Sequence, residues 1–422
     1  MRVTLPYGLS PGRGQLDLEV ADDASILDPV HPPPLAEVAG AIRGALSQPI
    51  GASSLASGIA ADDSVAIVFS SAVPAPLNAT LASEILAALE AAGVARDRIT
   101  LILQRDLEHA PAETDPVRML DRAYRVVVHD PADRDGLIFQ ERYPSERRAG
   151  IYLNEAYQRA SARIVTGLAE PHFAAGWRPA LTVLPGLAAG YNALRTLSVA
   201  NLLQPHARSG VTTGNPIFEE AVDLAESVGV TLACWLTVDR QGAATGVFAG
   251  GFRRSLSAAI DAAPHPSPAA NAPFDLVLAA APGAATLAAA TPALLAASAL
   301  LRPGGTIMLA AECPAGVGSA AFQSMLFDAQ GPEALWETLI AADFAQEDQW
   351  FALALASARR TATVELGSAL EAATVRRTHC IPTSDIGLAL SAFTASFHLR
   401  TGGMPSVAVL PDAPRLNLSN VE

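Results

Sequence analysis

The sequence predicts an α/β protein built on parallel sheets. Short β-branched apolar runs recur with helix-periodic segments between them. Hydrophobic residues make up 50% of the chain and charged residues only 17%, and no apolar run has the length that spans a bilayer. At 422 residues the chain exceeds what one core comfortably serves, so two domains are expected.

The elements follow in order. MRVTLPYG begins with a strand-like stretch and lacks the charged, apolar and small-residue sections of a signal peptide, which gives the cytoplasm as the expected location. SVAIVFS (64–70), bounded by Asp62-Asp63 and by Pro74 and Pro76, reads as a strand; ATLASEILAALEAAGV (79–94) has helical spacing and a stop at Gly93. ITLILQ (99–104), YRVVVHD (124–130) and ARIVTG (162–167) repeat the strand signal. Strands alternating with helices favour a parallel sheet, so the loops beginning at Ser70, Arg105, His129 and Gly167 are expected on one rim. Asn215-Pro216 marks a helix start, with Asn as cap and Pro at the first position. DAAPHPSPAANAP (261–273) reads as a linker that carries His265. FDLVLAAAPG (274–283), TPALLAASALL (291–301) and RPGGTIMLAAEC (302–313) then read as strand, helix and strand, opening a second α/β unit. MPSVAVLP (404–411) is a last strand that can return to either unit.

Composition removes several function classes. A net charge of -14 repels a phosphate backbone, so neither a nucleic acid nor an anionic membrane is an expected partner. Cys234, Cys313 and Cys380 are odd in number and far apart, which suits reduced core thiols better than disulfides or zinc. All 28 basic residues are arginines, and the chain contains no lysine. FAGGF (248–252) and RPGGT form neither a dinucleotide fingerprint nor a P-loop, and a lysine-free chain cannot supply the latter. There is no CxxC or HExxH pattern to hold zinc, and no residue is assigned to a metal.

What remains is a set of histidines beside carboxylates: Glu108-His109, His129-Asp130 and Glu170-Pro171-His172. Imidazole titrates near neutral pH, so two histidines flanking a substrate suit proton removal on one face and delivery on the other. His109 and His172 are the candidate catalytic pair. Their setting includes EPHFAAGWRPALTVLPG (170–186), where Arg178 is placed either to reach a phosphate or carboxylate or to stack on Trp177.

LPYG (5–8), QPIG (48–51), the strand and Val-Pro at 65–74, EHAP (108–111), HD (129–130), EPHFAAG (170–176), PG (185–186), GNPIFEEA (214–221) and RPGGTIMLAAECPAGVGS (302–319) fall in the order seen in nickel-pincer lactate racemases. The chain resembles that family over nearly its whole length. The resemblance implies two Rossmann-like domains with parallel sheets and an active site in the interdomain cleft: an N-terminal domain, 1–262, completed by 403–422, and a C-terminal domain, 273–402. It implies racemisation or epimerisation of 2-hydroxy acids by a nickel ion on a sulfur-bearing pyridinium mononucleotide, tethered through a lysine, that accepts and returns a hydride. Two histidines exchange the hydroxyl proton, matching His109 and His172, and Trp350 after Glu347-Asp348-Gln349 resembles the family's C-terminal-domain tryptophan.

Departures from the pattern concern the cofactor. The position matching the tether is Leu181, and arginine is no substitute because its guanidinium stays protonated and is a poor nucleophile. The family's nickel-binding histidine follows the Pro-Gly turn, yet the next histidine here is His206, several residues too late. The substrate-clamping Asp-x-Thr-Arg-Pro is Ser70-Ser71-Ala72-Val73-Pro74, which lacks the guanidinium fork for a carboxylate. A Tyr-Gln-x-x-Lys stretch is replaced by AATLAAATPALLAAS (284–298). The expectation is a small-molecule ligand, an organic acid or a nucleotide, held in the cleft by Ser70, Ser71, Arg178 and Trp350. His109 and His172 handle protons, with little or no nickel-dependent lactate racemisation. The alternative is a catalytically inactive binding or partner subunit.

Overall fold

Val65–Ser70 is buried at every residue, and its apolar run serves two cores at once. Val65, Ile67 and Phe69 face one cluster while Ala66 and Val68 face another, as the two-residue period of a strand requires. The computed structural model describes residues 1–8, 14–104, 115–120, 122–140, 150–264, 273–341 and 344–419. In it, Val65–Ser70 is central to a six-stranded sheet ordered 244–250, 232–238, 162–168, 65–70, 99–104, 125–128. All neighbours are parallel except the last hairpin, Leu232–Val238 with Ala244–Gly250. The helix Ala75–Ala91 covers one face with Leu81, Ile85 and Leu89. Asn215 caps Pro216–Ser227 as its sequence implies, its side-chain oxygen accepting from Ile217 N and Phe218 N at 3.1 and 3.2 Å.

The second sheet is wholly parallel, in the order 381–383, 363–367, 301–310, 274–280, 407–410, 25–26. This corrects one expectation. Val407–Leu410 does not complete the N-terminal domain; it lies between Phe274–Ala280 and Ser25–Ile26 in the second sheet. The reason is local: Asp275 Oδ2 accepts from both Ser406 N (2.8 Å) and Ser406 Oγ (2.9 Å), which sets the register, and Val407 and Val409 join Leu276 and Leu278 in one apolar layer. Val3, Leu5, Leu18 and Val20 from the N-terminal hairpin pack into that layer too.

A single apolar cluster joins the inner faces of both sheets, taking Ala66, Val165 and Trp235 from the first and Val277, Ile307 and Leu309 from the second. No helix among the described residues is long and apolar enough to cross a membrane. His265 and most of its linker lie outside the described residues; helix 252–262 ends before it and strand 274–280 begins after it.

Candidate functional site

Parallel strands deliver their carboxyl ends to one edge, and there Ser70 and Gln104 are register partners. Ser70 is buried and holds its own turn: Oγ accepts from Ala72 N at 3.3 Å, and its carbonyl accepts from Asn78 Nδ2 at 3.0 Å. Ser71 is half-buried beside it.

Beyond Leu168 the chain folds into a two-pair hairpin, Pro171 opposite Trp177 and His172 opposite Gly176. Gly176 is needed there. Its φ is +71°, and a Cβ would stand 2.1 Å from the Val211 carbonyl oxygen. Gly210 N donates to Gly176 O at 2.9 Å and Trp177 Nε1 to Gly210 O at 3.1 Å, so the hairpin is pinned from behind.

His172 is buried, 1% exposed. Its Nδ1 accepts from Ala174 N (3.3 Å) and Ala175 N (3.0 Å). Backbone N–H groups only donate, so the neutral ring carries its proton on Nε2. A proton on Nδ1 would face two donors. The ring lies 4.5 Å from Phe173, Phe173 lies 6.0 Å from Phe351, and Phe351 lies 5.9 Å from Trp350. This row of rings crosses from the first half of the chain to the second. Gln349, fully buried, fastens the crossing by donating from Nε2 to Leu194 O (3.1 Å) and Leu197 O (3.0 Å). Trp350 is 5% exposed, and its Nε1 is a buried donor with no hydrogen-bond partner among the described residues.

Arg178 neither stacks at the surface nor offers its charge outward. It is buried, and its Nε donates to Glu170 Oε1 at 2.5 Å. Glu170 Oε2 accepts from Arg415 Nε at 2.8 Å, and Arg415 Nη1 reaches Asp412 Oδ2 at 3.2 Å. Two acids and two bases are thus linked in one chain of ion pairs among the described residues. Glu170 and Asp412 hold the Arg415 guanidinium above its usual range, while burial pushes the Asp412 carboxyl up. Arg178, expected to hold a ligand or to stack at the surface, is buried with its Nε on a carboxylate that also serves Arg415.

From Ile164 to Ala189 every residue is buried. Leu181 is 3% exposed and belongs to the apolar cluster shared by both sheets. Gly186 N donates to Leu181 O at 3.0 Å, closing the turn; Gly186 lies so near Gln104 that a Cβ would meet its Nε2 at 2.1 Å.

His129 stands apart as a structural staple. Asn154 Oδ1 accepts from Tyr157 N, which leaves Nδ2 to donate to His129 Nδ1 at 3.4 Å; His129 Nε2–H then donates to Ala188 O at 3.1 Å. Burial holds its pKa below the ordinary histidine range. His109 lies outside the described residues, so His172 is described without the other member of the expected pair. His206 is exposed. Sequence reasoning missed Arg415, Asp412 and Gln349. None has a local motif, and Glu170 and Arg415 are 245 residues apart.

Family models describe the same molecule. The lactate racemase N-terminal domain matches residues 11–210, and the lactate racemase C-terminal domain matches residues 279–413. The chain belongs to the lactate racemase family. A lactate racemase of Thermoanaerobacterium thermosaccharolyticum is 24% identical over 236 residues, which is 54% of this chain and 55% of that protein. The match thus spans about half the length of this curated relative. The fold likeness is fuller: the lactate racemase apoprotein of that organism superposes with a TM-score of 0.83 at 20% identity, covering 99% of both chains. A Thermotoga maritima protein has a TM-score of 0.62 at 11% identity, covering 92% of this chain and 99% of its own.

The residues present do not fit the family's lysine-tethered nickel group. No lysine exists, the matching side chain is sealed in the core, and the neighbouring cation is ion-paired. Among the described residues no three of His, Cys, Asp and Glu gather to hold a metal ion.

Proposed function

We propose that this member of the lactate racemase family binds a small organic acid or nucleotide and does not carry out nickel-dependent racemisation. The observation that carries the reading is Leu181. Where the resemblance puts an amine open to a cofactor, this chain has an apolar side chain packed between two sheets. Burying a leucine contributes roughly 1.5–3 kcal/mol, so the position now serves stability. Trp350 supports retained binding, because a buried indole N–H without a partner among the described residues is satisfied by an acceptor-bearing ligand.

Proton transfer by His109 and His172 is supported less well. For His172 to act as a base through Nε2, its proton must sit on Nδ1, against the N–H groups of Ala174 and Ala175. The amides of Ala174 and Ala175 favour the tautomer with its proton on Nε2.

Two measurements test the proposal. The protein is incubated with the nickel-loaded pyridinium cofactor and D- or L-lactate, and chiral chromatography is expected to show no interconversion above a His172→Ala control. Lactate and other 2-hydroxy acids, together with nucleoside monophosphates, are titrated calorimetrically; heat is expected from one class and is lost in Trp350→Phe. Turnover above the control, or a cofactor bonded to the polypeptide by intact mass, overturns the first half. Absence of heat from every ligand, or equal affinity in Trp350→Phe, overturns the second.

A further inference from the structure

The helix Ile386–Thr401 lies on the face of the second sheet away from the core shared by both sheets, where Ile386 and Leu390 pack with Leu276, Leu278 and Met308. A surface helix ordinarily turns polar residues outward. This one presents a second apolar stripe. Leu388, Ala392, Ala395 and Leu399 recur at spacings of four, three and four, which aligns them along one line of the helix opposite Ile386 and Leu390. Leu388 is 70% exposed and Leu399 is 86% exposed; Ala392 and Ala395 between them are exposed as well. The stripe reads the same from either end: leucine, alanine, alanine, leucine.

Charge gives the stripe a direction. Asp385 caps the helix, its Oδ1 accepting from Leu388 N at 2.9 Å, and is exposed. Arg400 is exposed in the last turn; among the described residues it makes no ion pair, its guanidinium lying 5.9 Å from the Phe397 ring. Asp385 and Arg400 lie to the same side of the stripe on the helical wheel.

We propose that this stripe docks against the same stripe of a second copy of the chain, with the two helices antiparallel. A two-fold axis midway between Ala392 and Ala395 sets Leu388 of each copy over Leu399 of the other and Ala392 over Ala395, a self-complementary contact. The alanines let the helices approach closely at the centre, and the leucines fill the ends. The same axis brings Asp385 of each copy beside Arg400 of the other, because residues on one flank meet in an antiparallel pair. A parallel pair would bring opposite flanks together and separate these charges. Docking here does not touch Trp350, which belongs to the cluster on the other face of the sheet.

Sedimentation equilibrium of the full chain across micromolar concentrations tests the proposal. A dimer is expected, and Leu399→Arg is expected to weaken it by about tenfold or more without changing the far-ultraviolet circular dichroism, since the side chain is 86% exposed. Orientation is read by mild oxidation: Ala392→Cys mixed with Ala395→Cys should form a disulfide-linked pair that neither variant forms alone, the native cysteines being buried. A monomer at every concentration, a dimer unmoved by Leu399→Arg, or a cross-link formed by either cysteine variant alone overturns the proposal.

Discussion

Replacing Glu170 by glutamine should unsettle the loop that carries His172 more than any exposed charge does. Glu170 accepts from Arg178 on one oxygen and from Arg415 on the other, and the Arg178 and Glu170 side chains are 8% and 7% exposed. Glutamine keeps one acceptor and removes the charge that Arg178 and Arg415 share. Breaking a buried pair from one side costs about 3–5 kcal/mol. An unfolding entropy of about 2.1 cal/mol/K per residue over 422 residues comes to roughly 0.9 kcal/mol/K, so 3 kcal/mol lowers the melting temperature by about 3 °C. Differential scanning calorimetry of Glu170→Gln should show that shift. Arg43→Ala, which removes an exposed partner of Glu84, should stay within about 1 °C. Adding Arg178→Met to Glu170→Gln should recover part of the loss, because an uncompensated cation goes with it. A Glu170→Gln protein that melts with Arg43→Ala would refute the idea that the chain of ion pairs holds the loop.

Leu181→Lys should not restore a cofactor seat; it forces an ammonium group into an apolar cluster and should cost about 3 kcal/mol or more in urea unfolding. Near-native stability together with a cofactor adduct by mass would show the seat to be open. Stability should also fall with acid. His129 titrates below its ordinary range, so as pH drops through about 6.5 the unfolded chain takes up the proton first and the folded state is disfavoured until His129 itself protonates. Above that window it contributes nothing. His129→Gln should flatten the dependence of melting temperature on pH between neutrality and mild acid, leaving a smaller slope from His379, which burial shifts in the same direction.

The sheets were legible because their strands, buried on both faces, read as apolar β-branched runs: VAIVFS, ITLILQ and FDLVLAA. The cap at Asn215-Pro216 was legible because one side chain makes it. The placement of Val407–Leu410 was not, since its apolar pattern fits either sheet and Ser406 meets Asp275 only once both are folded. For the site, the segment was legible and its chemistry was not. Arg178 reads in sequence as an available cation, and its partner Glu170 stands eight residues earlier beside a proline, but the Arg415 that completes the network comes from the far end of the chain. The tautomer of His172 is fixed by backbone amides of two alanines, which no side-chain inventory reveals.

Among the described residues Ser25–Ile26 finds its only sheet neighbour in Val407–Leu410. During synthesis the first sheet can assemble once residue 250 has left the ribosome, whereas Ser25–Ile26 must wait until residue 410 has emerged. The second sheet is therefore sealed late, and a ribosome that stalls near residue 400 would release a chain with Phe274–Ala280 as an open, aggregation-prone edge.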